Sequence, residues 1–222
     1  TVRRHTTGVP YNFDNVANAI DHTFAFPQPV GGDPGSIRFS PDGTKMLFSQ
    51  WLTERAIDYN LSTAWNVSTA SLGSEFSCTS QLGTPEGCHW SPDGTKMYLS
   101  QGGSGGYIFQ YTLSTPFTVS SASYDNKSLN TIPGSGDSTN GIYFKPDGTQ
   151  LWHTGKNNDS INQWKLATAW DITTATYTGS YDVDANVNLG QSLCTGIFVK
   201  EDDGSKVYIV GQTPDRAYEF TM

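Results

Sequence analysis

Apolar and polar residues alternate along short stretches of this chain, about five positions at a time, and the stretches recur in a fixed order. In the first, Ile37 and Phe39 alternate with smaller or polar neighbours up to Pro41-Asp42-Gly43. A period of two predicts strand rather than helix. Proline presets the backbone of a tight turn, the Asp carboxylate accepts from amides ahead of it, and Gly adopts the positive φ that other residues resist. A second strand, KMLFSQ, follows the turn, and after a variable loop comes a third, AIDYNLS. The phrase TAWNVSTASL then leads into a fourth, GSEFS.

The unit begins again as GCHWSPDGTKMYLS at Gly87 and GIYFKPDGTQLWHT at Gly141, and in worn form as GIFVKEDDGSKVYIV at Gly196. The prolines at 41, 92 and 146 lie 51 and 54 residues apart. A period near fifty with four antiparallel strands per unit is the signature of propeller blades. The fourth unit stops at Met222, after its third strand. FDNVANAIDHTFAF, from Phe13, has the look of the missing piece, with Ile20 and Phe24 matching Leu72 and Phe76. The expected fold is all-β: a single four-bladed β-propeller over 1–222, closed by the N-terminal strand completing the last blade. Its blades are 36–77, 87–130, 141–183, and 196–222 with 13–26. A neighbouring subunit could receive the same N-terminal strand instead.

Composition narrows the setting. The 222 residues are 36% hydrophobic and 13% aromatic, enough for a core, and 23 glycines suit many turns. A net charge of −8 argues against nucleic acid or an anionic membrane as partner, since both need clustered Lys and Arg. No stretch approaches the roughly 20 apolar residues that span a bilayer. Thr1 is not a translational start, so a processed or excised chain is expected.

The repeats also judge the chemistry. Asp42, Asp93 and Asp147 recur once per blade, which marks a turn-shaping group and not a catalytic acid. Trp65, Phe117 and Trp170, with Tyr59, Tyr111, Trp164 and Phe220, are expected to fill space between blades. Asp58, Gln110, Gln163 and Glu219, at one place in the third strands, are expected to hydrogen-bond between blades. Cys78 and Cys88 suit either a disulfide or two buried thiols, leaving Cys194 unpaired. Asp182, Asp184, Asn186 and Asn188 alternate as calcium ligands do, but the Gly and distal Glu of an EF-hand loop are missing. No cofactor is expected, with calcium the one alternative. None of the four histidines has metal-ligand spacing, and no nucleophile motif appears.

FSPDGTKMY, followed by a QYTLST-type strand and a D(I/V)STASY-type strand, resembles the propeller repeats of aquatic-bacteriophage tail and fibre proteins and of bacterial surface proteins of the YVTN kind. The match covers 36–183 well and 196–222 in part, and it departs from the pattern at Glu201-Asp202-Asp203-Gly204. Such a resemblance implies an extracellular, cell-surface or virion setting and leaves the ligand open.

Function is expected where the repeats disagree. The loops between second and third strands carry Trp51, Arg55, Gln101, Lys156, Asn157, Gln212 and Arg216. Aromatic, amide and guanidinium groups on one face suit a sugar, whose ring stacks while its hydroxyls take directed hydrogen bonds. The leading expectation is a non-catalytic module that binds a surface glycan or protein receptor. The alternatives are a structural subunit of a fibre, filament or tail, a homo-oligomer through its neighbours, and a channel-centred hydrolase or lyase using His89 with Arg38 and Tyr143.

Overall fold

The PDG turns join the two inner strands of the first three units in a computed structural model of the chain, which describes residues 2–4, 22–25, 34–103, 105–132, 138–183, 194–200, 205–212 and 215–221. Two short strands, β1 (Val2–Arg4) and β2 (His22–Phe24), precede the repeats. Blade 1 is β3 (Pro34–Phe39), β4 (Lys45–Gln50), β5 (Arg55–Leu61) and β6 (Ala70–Ser77). Blade 2 is β7 (Pro85–Trp90), β8 (Lys96–Gln101), β9 (Tyr107–Leu113) and β10 (Ala122–Asn130). Blade 3 is β11 (Thr139–Phe144), β12 (Gln150–Gly155), β13 (Ser160–Leu166) and β14 (Ala175–Asp182). Blade 4 is β15 (Cys194–Val199), β16 (Lys206–Gln212) and β17 (Asp215–Thr221). Each sheet is an antiparallel meander, and together they form the four-bladed propeller that the repeats announce.

Each turn Asp does what its repetition implies. Asp42 Oδ1 accepts from Ser40 Oγ at 2.7 Å and from the Thr44 amide at 3.0 Å, and Asp147 Oδ1 accepts from the Thr149 amide at 2.9 Å. Burial pushes the Asp147 carboxyl up, but Lys145 Nζ at 2.6 Å and the Thr149 donors outweigh it and hold the group at about 2, against an ordinary 3.8. A carboxyl depressed on folding stabilises above its unfolded pKa and ceases to do so as pH falls through its folded one. Stability is therefore expected to decline between about pH 4 and pH 2. Acid titration followed by circular dichroism checks this, and Asp147→Asn should flatten the lower part of the curve.

The phrase aromatics do something the sequence did not reveal. Trp65, Phe117 and Trp170 lie over the PDG glycines of their own blades: a Cβ on Gly43, Gly94 or Gly148 would come within 2.3, 2.5 and 2.5 Å of those rings. Trp65 does not fill an inter-blade space, being 46% exposed. Tyr111 and Trp164 are buried between blades, as expected, while Tyr59 is buried in a cluster of blade 1 residues with Phe24 packed against it.

Blades approach one another through small residues on the inner strands. A Cβ on Gly35 would lie 2.4 Å from Glu86 O, one on Gly87 2.1 Å from Asn140 O, and one on Gly141 2.8 Å from Ile197 N. At Gly196 the nearest group is Val210 of its own sheet, at 3.8 Å. The third-strand acceptors bind the following blade: Asp58 Oδ2 receives the Val119 amide at 2.9 Å, and Gln110 Oε1 that of Ile172 at 3.2 Å. Glu219 instead pairs with Lys206 within its own sheet.

Among the described residues the fourth sheet has three strands, and β2 pairs with β1, Val2 opposite Phe24, not with β17. Here the structure departs from the expected pairing: the described strand β2 is hydrogen-bonded to β1 and not to β17. The packing nevertheless follows the sequence match. The Phe24 ring stands 5.1 Å from Tyr59 at 71°, as Phe76 stands 5.4 Å from Tyr111 at 73° and Tyr181 5.7 Å from Phe220 at 62°. Residues 13–21 and 26 lie outside the described residues.

Cys78 and Cys88 are not bridged. Both are buried in the cluster between blades 1 and 2, and burial pushes their thiols up to about 12 and about 11.

Candidate functional site

The inner strands place one matched side chain per blade toward the channel: Arg38, His89, Tyr143 and Phe198. They converge. The Arg38 guanidinium carbon lies 4.5 Å from the centre of the Tyr143 ring and 5.6 Å from that of Phe198, reaching from blade 1 to blades 3 and 4. The His89 ring stands nearly perpendicular to Tyr143 at 5.5 Å. Cation and ring quadrupole attract, more strongly where water is excluded.

Arg38, His89 and Phe198 of this group form the inner wall of a cavity of about 650 Å³ that opens on the PDG face, where Pro41, Pro92 and Pro146 border it. Trp65, Trp90 and Phe144 supply apolar walls, and Arg38 is the one permanently charged side chain among the described residues lining it. His89 is 3% exposed, and its Nδ1 has no hydrogen-bond partner among the described residues. Burial, and secondarily the Arg38 charge, hold its pKa well below the usual 6.5, so the imidazole is neutral. A neutral imidazole beside a guanidinium can accept a proton or a hydrogen bond while the Arg holds an anion. His89, Arg38 and Tyr143 are the channel-centred option that the sequence offers. It does not single out Trp65 and Phe144, whose only signal is their repetition.

The seven rim residues belong to the opposite end, at the β4–β5, β8–β9, β12–β13 and β16–β17 turns. Trp51 and Lys156 are half-buried and Asn157 is exposed. Arg55 is ion-paired with Glu75 of the neighbouring strand. Gln101 folds against its own hairpin, where a Cβ on Gly105 would meet its Cδ at 2.8 Å. Gln212 and Arg216 stand at the facing ends of β16 and β17. The fold thus gathers the set on one face but engages part of it internally. Of the alternating calcium run, Asp184, Asn186 and Asn188 lie outside the described residues. Among the described residues no three His, Cys, Asp or Glu side chains cluster as metal ligands.

Neither a family model nor a curated protein sequence matches the chain. Solved structures do share its fold. A protein from Lactobacillus plantarum superposes with a TM-score of 0.60 at 16% identity, covering 95% of this chain and 58% of that one. A protein from Bacteroides uniformis, provisionally named a 6-phosphogluconolactonase, gives 0.57 at 14% identity with the same coverages. The β-propeller domain of Cps50 (Swd1) from Myceliophteria thermophila gives 0.54 at 9%, covering 86% and 54%. The chain therefore spans a little over half the length of these structures. The expectation of a non-catalytic module is corrected here: the fold is shared with a protein named as an enzyme, so the architecture gives no ground for setting catalysis aside. No described helix is long and apolar enough to cross a membrane.

Proposed function

We propose that the chain is a ligand-binding propeller of an extracellular, cell-surface or virion setting, and that it takes an acidic sugar or the acidic end of a surface glycan at the channel mouth. One observation carries this reading: Arg38, stacked over Tyr143 and Phe198, brings a cation into an aromatic-walled cavity beside a buried neutral His89. A guanidinium can bind a carboxylate or sulfate through its fork of N–H groups, while aromatic walls suit the face of a sugar ring. The setting rests on the repeat resemblance. A receptor glycan or protein held at the Trp51 rim competes with this reading, and one experiment chooses the face. On a glycan array that includes uronates, sialylated and sulfated sugars, wild type should retain acidic ligands. Arg38→Ala should weaken them by about ten- to a hundredfold, the scale of one charge-assisted hydrogen bond. Binding that survives Arg38→Ala and falls with Trp51→Ala moves the site to the rim.

A second reading, favoured by the approach of His89 to Arg38 and Tyr143, is hydrolysis of a sugar lactone at the same place. Arg38 would hold the acidic group, and His89 would accept the proton of the water that attacks the lactone carbonyl and return it to the ring oxygen as the acyl C–O bond breaks. Proton release from sugar-acid lactones should then be faster with wild type than with His89→Gln. Equal rates in the two proteins would exclude it.

A further inference from the structure

Trp65, Phe117 and Trp170 hold one repeat position, and the fold treats them unequally. Phe117 stands edge-on to Trp90 with ring centres 4.9 Å apart, and Trp170 is packed by Phe144 at 5.5 Å, Tyr98 at 6.3 Å and His89 at 6.5 Å. Both are half-buried. Trp65 has Phe39 beside it at 5.4 Å, stays exposed, and is the one of the three that lines the cavity holding Arg38. Its placement is fixed. The indole covers Gly43, where a Cβ would meet Cε2, Cδ2 and Nε1 at 2.3 to 2.4 Å, and the Trp65 amide donates to Gly43 O at 2.9 Å. One side of the ring is thus seated on the PDG turn, and its exposed part borders the cavity.

We propose that Trp65 is the stacking platform for a second sugar ring, so that the cavity takes an acidic oligosaccharide with its acidic residue against Arg38 and the adjoining neutral ring flat on the indole. The inference rests on the acidic-ligand reading above. Its volume of about 650 Å³ is within the range of about 300–1,000 Å³ that holds drug-sized ligands, more than one sugar ring fills. The polar side chains beside the platform are already engaged in both directions. Ser40 Oγ donates to Asp42 and accepts from the Lys45 amide at 2.9 Å, and Ser91 Oγ donates to Asp93 and accepts from the Lys96 amide at 2.9 Å. Trp90 Nε1 donates to Phe39 O at 3.2 Å. A ring lying over Trp65 is therefore recognised by its apolar C–H face more than by its hydroxyls. Because the indole is held in place before the ligand arrives, stacking on it costs little side-chain ordering.

Titration calorimetry of the full chain tests this, with uronates, sialic acid and sulfated monosaccharides each compared with a disaccharide that joins the same acidic residue to a neutral ring. Wild type should bind the disaccharide about three- to tenfold tighter than its acidic monosaccharide, the scale of one aromatic contact. Trp65→Ala should remove that advantage, bringing the disaccharide down to the affinity of the monosaccharide, whereas Arg38→Ala should weaken both ligands. Trp65→Phe, the residue that blade 2 carries at this position as Phe117, keeps a ring over the turn and serves should Trp65→Ala fail to fold; it should retain part of the advantage. A wild type with no preference for the disaccharide overturns the proposal, as does a preference that both Trp65 variants leave intact while Arg38→Ala weakens binding. The acidic-ligand reading stands in those two cases. If wild type binds none of the acidic sugars, or Arg38→Ala changes nothing, that reading falls and the platform with it.

Discussion

Replacing Asp58 by Ala is expected to destabilise the fold by about 3 kcal/mol, the sum of a charge-assisted hydrogen bond and a donor left buried without a partner. Asp58 is 1% exposed; its Oδ2 receives the Val119 amide of the next blade and the hydroxyl of Ser74. Lys45 Nζ lies 4.0 Å from Oδ1, beyond hydrogen-bond reach. Space for the carboxylate comes from Gly73, where a Cβ would fall 1.8 Å from Oδ1. The turn at Val119 depends on this acceptor more than its equivalents do, because Thr118 makes no side-chain cap, whereas Asp171 caps the turn at Ile172 by accepting from the Thr173 amide. Gln110→Ala, which removes a neutral acceptor at the next junction and leaves the Ile172 amide buried in the same way, should cost about 2 kcal/mol. Urea unfolding of the two variants measures the difference, and equal losses would refute the role given to the charge.

Gly94→Val should be comparably damaging, at about 2–5 kcal/mol, from two independent causes. The residue has φ +70°, which costs a side-chain-bearing residue about 1–2 kcal/mol. Its Cβ would also come 2.5 Å from the Phe117 ring, and overpacking of that kind costs about 1–3 kcal/mol. Phe117 cannot simply withdraw, since its amide donates to Gly94 O at 3.0 Å and it sits at φ +56°. By contrast Asp93→Asn keeps the oxygen that accepts from Ser91 and Thr95, and should change stability by no more than about 0.5 kcal/mol. If thermal melts place Asp93→Asn below Gly94→Val, the turn is held by its charge and not by the backbone that the aromatic covers.

Local rules made the blades legible. Alternation at Ile37 and Phe39, the PDG turn and the spacing of its repeats each act within a few residues, so they can be read from the chain in order. Even the match of Phe24 with Phe76 was readable, because an outer strand keeps its pattern wherever it pairs. That pairing with β1 was not, since an open edge accepts any strand within reach and the sequence does not state which is nearest.

By itself, then, the sequence determined an all-β array of four units, the turn role of Asp42, Asp93 and Asp147, and the between-blade role of Asp58 and Gln110. Tertiary structure alone decided that Arg38 meets Tyr143 and Phe198, because their approach depends on the curvature of the array and not on any neighbour in the chain. It also decided that Arg55 is spent on Glu75 and that Trp65 covers Gly43. The physical reason is common to all three. A side chain's chemistry is written in its identity, but its partner is chosen by the packing of strands distant in sequence, and no local pattern encodes that choice.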